Sequence, residues 1–188
     1  MWRHSRRRLT AESIRDAILA VSGRLNRTAG ASSVVGLGEI AVANNAQDNT
    51  GKTSNAVARR SIYLPLIRND LPDLLTAFDF ADPNVVVGAR SNTTVPAQAL
   101  LMMNSPFIKT HARELAARAL AQNSLGDRDR LAWIYTRAIG RPPTKQEIVR
   151  ALSYLDLVDS PARSSAPLDS WASFCHALLA STEFRFVE

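Results

Sequence analysis

SPFIKTHARELAARALA, residues 105–121, is the stretch on which the fold class turns. Ser105 stands in a capping position, Pro106 suits the first helical residue, and Ile108, Ala112, Leu115 and Ala119 recur on one face at helical spacing. The reading is an amphipathic helix that needs an apolar partner.

The same pattern extends in both directions. DRDRLAWIYTRAIG (127–140) places Leu131, Ile134, Tyr135 and Ala138 inward and is stopped by Gly140 before Pro142. TKQEIVRALSYLDLV (144–158) opens with a capping box, Thr144 and Glu147, and carries Ile148, Ala151, Leu152, Leu155 and Val158 in register. After a Pro/Ser loop at 160–167, SWASFCHALLAS (170–181) makes a last helix around Trp171, Phe174, Cys175 and Leu178. Upstream, TVPAQALLMMN (94–104) reads as a helix, and DLPDLLTAF (70–78) as a short one with Asp70 as cap and Pro72 in its first turn. Near the start, Ile14, Ala17, Ile18, Val21 and Leu25 define a helix capped by Thr10 and ending near Gly23. Ile62, Tyr63 and Leu64 favour a short strand that Pro65 confines or ends, and EIAVA (39–43) is a second short strand candidate. The fold class is mainly α: a helical bundle of about five to six helices with at most a short β ribbon and one long flexible loop. A single domain is expected over residues 1–188, with a mobile surface insertion at 28–58 where periodicity is lost.

The formal charge is +6, from 23 basic and 17 acidic residues. Only Arg3, Arg6, Arg7 and Arg8 cluster, with His4 among them, so nucleic-acid binding through this arginine-rich start is expected to be weak at most. Cys175 is the single cysteine, which excludes an intrachain disulfide and an all-cysteine metal site. No run reaches the length of a membrane span, and MWRHSRRRL lacks the apolar stretch of a signal peptide, so the chain taken alone is expected to stay in the cytoplasm.

Three motifs suggest chemistry. AQDNTGKT (46–53) fits a relaxed phosphate-loop pattern around Gly51 and Lys52, but it has one glycine, no preceding buried strand, and only the short TSNAVARR as a following helix. Cys175-His176 ends a stretch like the c-type haem motif, yet Ala172 stands where the first cysteine belongs, which excludes covalent haem there. Non-covalent haem on His111 or His176 opposite Met102 or Met103 is the weaker alternative to core packing. Asp79, Asp82 and Asn84 offer oxygens to calcium, but without the alternating ligands and distant Glu of a calcium loop they read as backbone-bonding turn residues. With His4, His111 and His176 alone, no Ser, His and Asp arrangement can be assembled locally.

Five ordered blocks, RRRLTAESIRDAILAVSGRLN (6–26), RRSIYLPLIRNDLPDLLTAFDFADPN (59–84), NTTVPAQALLMMNSPF (92–107), AIGRPPTKQE (138–147) and ASTEFRFVE (180–188), resemble domain-of-unknown-function family 1553, a planctomycete-specific domain. Ala97 stands where a threonine is common and Ala81 where a proline is frequent. The resemblance implies the C-terminal part of a large exported bacterial protein, periplasmic or envelope-associated, that also carries cytochrome-c-like domains. It implies haem c only in those neighbours, with the upstream domains or another protein as partner; from the residues themselves no cofactor or metal is expected in this chain. Because WRHSRRRLTAE lies inside the family pattern, the domain is expected to be truncated at its N-terminus, leaving the faces of Ile14, Ile18, Val21, Trp171 and Phe174 short of cover. No catalytic residue follows from the resemblance.

The residues marked for binding are those of the turn-rich centre: Asp79, Asp82, Asn84, Arg90, Asn92, Thr94 and Gln98. Polar side chains between two helices suit either an internal hydrogen-bond network or a ligand surface, the latter for an enzyme or carbohydrate-binding domain. A non-catalytic interaction or structural domain is the leading expectation.

Overall fold

The computed structural model describes residues 6–29, 58–64, 66, 71–158 and 166–187. The phosphate-loop match at 46–53, the insertion between 30 and 57 with its EIAVA strand, Pro65, Asp70, the 160–165 loop, Arg3 and His4 lie outside them.

Among the described residues the chain is mainly helical, with eight α-helices: α1 (Ala11–Ser22), α2 (Asp73–Ala77), α3 (Pro96–Asn104), α4 (Pro106–Leu120), α5 (Asp127–Ala138), α6 (Lys145–Val158), α7 (Pro167–Ala180) and α8 (Thr182–Arg185). Strands β1 (Arg7–Arg8) and β2 (Phe186–Val187) form a two-stranded sheet. The expected count of five to six helices is therefore low. The strand expected at 62–64 is instead a 3-10 turn, Ser61–Tyr63. Its cause is local: Tyr63 N–H donates to the Arg60 carbonyl and Leu64 N–H to that of Ser61, while the Asp16 carboxylate accepts from both the N–H (2.8 Å) and hydroxyl (2.6 Å) of Ser61. The turn leaves Ile62 exposed. Pro72 precedes α2 as its N-cap rather than sitting in its first turn.

The described residues fall into two compact units. The first takes in Arg6–Arg7, Val21–Gly23 and Met102–Val187. Its centre is the pair α4 and α7. Ala112, Ala116 and Ala119 of α4 and Cys175 of α7 are fully buried, and such small side chains let two helix axes approach closely. Burial among apolar neighbours pushes the Cys175 thiol well above its ordinary range, so it is a core residue and not a nucleophile. Leu131 and Ile134 of α5 and Ala151 and Leu155 of α6 complete the core. Helix α7 starts earlier than SWAS implied, because Pro167 occupies its first turn. Ser105 is the N-cap residue of α4, but its hydroxyl makes no capping bond.

The second unit comprises Arg8–Ala20 and the described residues from Arg24 to Leu101. Ile14, Ile18 and Leu19 of α1 are buried in it, as are Leu64, Leu74, Leu75 and Phe78. At the start of α1, the Thr10 hydroxyl accepts from the Ser13 N–H, the capping geometry its sequence foretells. The expectation of uncovered apolar faces is corrected by burial for Ile14, Ile18, Val21 and Trp171, which are at most 9% exposed, while Phe174 is half-buried.

Candidate functional site

The polar centre is built from Arg8 outward. Arg8, at the end of β1, is 7% exposed, and its guanidinium donates to the Thr93 carbonyl (2.6 Å), the Phe78 carbonyl (3.2 Å) and Asp79 Oδ2 (2.8 Å). Asp79 follows α2 and has φ +60°, a left-handed conformation that Asp and Asn tolerate better than most residues. That turn points its carboxylate at Thr93, whose N–H (2.8 Å) and hydroxyl (2.9 Å) both donate to it. Partial burial alone would raise the Asp79 pKa; the Thr93 bonds and the Arg8 cation outweigh it and hold the carboxyl below its usual range. Gln98, in the first turns of α3, is fully buried and donates from Nε2 to the carbonyls of Ala77 (3.0 Å) and Thr93 (3.1 Å). Arg8 and Gln98 thus converge on one carbonyl, that of Thr93.

Of the seven marked residues, Asp79 and Gln98 belong to this network. Arg90 lies apart from it, donating to Glu12 Oε1 (2.6 Å) with its guanidinium 4.8 Å from the Phe80 ring centre. Burial acts to raise the Glu12 pKa, but the Arg90 bond and charge leave it lowered. Asp82 and Asn84 form a local turn in which Asp82 Oδ1 accepts from the Asn84 N–H (2.8 Å). Asn92 and Thr94 are exposed and take no part in these bonds.

Several participants were not marked. The sequence places Arg8 in a basic cluster, yet it is buried on Asp79, which removes it from any cationic surface. Arg15 is fully buried, donates to the Arg59 carbonyl (3.0 Å), and is pushed down to about 10 by burial, with Asp16 opposing that shift.

In the first unit, Arg141 plays a corresponding part. It follows Gly140, whose φ of +82° ends α5, and holds Glu147 with two bonds (Nη1 to Oε2, 2.9 Å; Nη2 to Oε1, 2.8 Å). It also donates to both oxygens of Glu183 (2.6 and 2.8 Å). Glu147 closes the capping box as well, accepting from the Thr144 N–H (2.6 Å) while the Thr144 hydroxyl accepts from the Glu147 N–H (3.3 Å). These bonds, that of Arg141 first, bring the Glu147 carboxyl to about 2.

The first unit also assembles Ser22, His111 and Glu114, an association that local sequence could not show for Ser22. The Ser22 hydroxyl (3.0 Å) and the Glu114 carboxylate (2.9 Å) both meet the same ring nitrogen, Nδ1 of His111. Nucleophile activation needs the base and its orienting carboxylate on opposite nitrogens. Here an ionised Glu114 requires the hydrogen on Nδ1, so that nitrogen cannot remove the Ser22 proton, and Ser22 is only 2% exposed. His176 Nε2 lies 2.9 Å from the Met102 carbonyl, and Met102 is fully buried while Met103 is 57% exposed. Among the described residues no three His, Cys, Asp or Glu side chains gather as metal ligands, and no helix is long and apolar enough to cross a membrane.

The blocks that these arginines join are those whose resemblance was noted in the sequence. Residues 1–155 match the family described as PSD1: Protein of unknown function (DUF1553), and the chain belongs to that family. The closing block that supplies Glu183 lies beyond the matched residues. No curated protein and no solved structure matches the chain.

Proposed function

We propose that this chain is a non-catalytic structural and interaction domain, working within a larger exported multi-domain bacterial protein that carries cytochrome-c-like domains. One observation carries the reading: charged residues of the family-like blocks bond to one another. Arg8 of the first block takes Asp79 of the second and the Thr93 carbonyl of the third, and Arg141 of the fourth takes Glu183 of the fifth. Carboxylates fixed by guanidinium groups and backbone N–H donors are poor general bases, because their pKa values are driven away from neutrality. Asp79 and Glu147 are both of this kind.

The interaction part of the reading rests on the segment between Asp82 and Arg90. Val85, Val86 and Val87 are 61%, 102% and 46% exposed in succession, an apolar tip held by the Asp82 turn. Consecutive exposed valines favour contact with another protein surface. The neighbouring domains of the same polypeptide are the partner we propose.

A photo-reactive amino acid at Val86 in the full-length protein tests this. The expected product is one discrete cross-link to another domain or protein, absent when the probe is placed at Arg128. Saturable oligosaccharide binding that Arg90→Ala abolishes would replace this reading with a carbohydrate-binding one.

A further inference from the structure

A cleft of ≈ 370 Å³ lies between α4 and α7, lined by Lys109, Thr110, Arg113, Ala172, Ser173 and His176. Each helix contributes residues at i, i+1 and i+4, so both linings fall on single helical faces. Ala172 is the one apolar side chain of the lining.

The lining offers two cations and two hydroxyls, most of them exposed. Lys109 and Arg113 stand one turn apart, and Lys109 makes no ion pair among the described residues. Ser173 Oγ accepts the Tyr154 hydroxyl (2.8 Å), which leaves the Ser173 proton for another acceptor. His176 has its Nε2 2.9 Å from the Met102 carbonyl, a bond that requires the hydrogen on Nε2 and fixes the ring in the wall. Asp169, one turn before Ser173 on α7, pairs with Arg113, so a carboxylate already occupies one cation.

We infer that this cleft binds the phosphate group of a small phosphomonoester, with Lys109 and Arg113 neutralising its charge and Thr110 and Ser173 donating to its oxygens. A tetrahedral dianion suits donors arriving from two helices better than a planar carboxylate, which presents two oxygens in one plane. The cleft exceeds one phosphate group and leaves room for a small organic remainder. Asp169 acts as an internal competitor for Arg113. The cleft shares no residue with the Val86 tip or the Arg8 network.

Calorimetric titration of the full chain at pH 7 and low salt, with inorganic phosphate, glycerol phosphate and acetate in separate arms, provides the test. Phosphate is expected to bind with Kd on the order of 1 mM. Glycerol phosphate should bind more tightly than inorganic phosphate, and acetate more weakly than either; equal affinity for the two phosphates would overturn the ester and leave free phosphate as the ligand. Lys109→Ala should weaken phosphate binding by about tenfold, as loss of one charge-assisted contact does. Asp169→Asn should strengthen it severalfold by releasing Arg113. Both substituted positions lie on the surface of their helices, and thermal melts of the variants report their folding. No binding by the folded wild-type chain, equal affinity for phosphate and acetate, or an unchanged affinity in Asp169→Asn would overturn the assignment.

Discussion

Arg141 and Glu147 face each other in a two-pronged pair of 2.9 and 2.8 Å, and the same carboxylate accepts the first backbone N–H of the capping box at 2.6 Å. One glutamate therefore joins the turn after α5 to the start of α6. The arrangement explains why GRPPTKQE reads as a unit: Gly140 supplies the left-handed turn, Arg141 the cation, Thr144 the cap and Glu147 the shared acceptor.

This pairing makes stability depend on acid. Glu147 titrates at about 2 in the folded chain, against roughly 4.3 when unfolded. A depressed folded value stabilises the native state above the unfolded pKa, and that contribution is lost as pH falls from about 4.3 towards 2. The melting temperature of the wild-type chain should fall across that window, and Glu147→Gln should show a lower but flatter profile. Parallel profiles for the two proteins would exclude the linkage.

Two glycines separate conformational strain from steric conflict. Gly23 has φ +78°, and a Cβ there would approach Arg118 Nη1 to 2.5 Å, where the guanidinium donates to the Val21 carbonyl at the end of α1. Gly140 has φ +82° with open space around it. Gly140→Ala should cost about 1 kcal/mol, the left-handed penalty alone. Gly23→Ala should cost more, about 2–3 kcal/mol, since it also displaces the arginine that caps the helix. Chemical denaturation of both variants checks the order, and equal costs would mean that Arg118 moves aside freely.

Asp79 combines a charge role with a backbone role, and substitutions divide them. Asp79→Asn keeps a residue type that tolerates φ +60° but removes the ion pair with Arg8. Asp79→Ala removes both advantages and should be the less stable of the two by about 1 kcal/mol. Urea denaturation followed by circular dichroism gives the comparison; an Asn variant no better than Ala would mean that backbone tolerance contributes nothing.

Helices whose apolar residues repeat on one face, and caps whose partners lie three residues apart, were legible in the sequence. Thr10 as the cap of α1 and Thr144 with Glu147 are such cases. The Ser61–Tyr63 turn was misread because Ile62 and Tyr63 carry strand propensity, while the Asp16 carboxylate that fixes Ser61 is 45 residues away. The four-residue helix α8 is too short for periodicity to show. Asp79 and Gln98 could be marked from their setting between helices. The part Arg8 plays could not, since its partner lies 71 residues along the chain and basic clusters at a chain start usually belong to solvent.

If the charged residues of the family-like blocks hold the fold together, Arg8 and Asp79 are energetically coupled, and a double-mutant cycle on the pair measures that coupling. Arg8→Ala alone should cost about 3 kcal/mol, because it leaves buried acceptors without their donor. Adding Asp79→Ala should cost much less than it does by itself, with a coupling of about 1.5–3 kcal/mol between the two positions. Single variants as stable as the wild-type chain, with additive effects near zero, would mean that this pair does not hold the fold and would return Arg8 and Asp79 to the pool of residues available for a ligand.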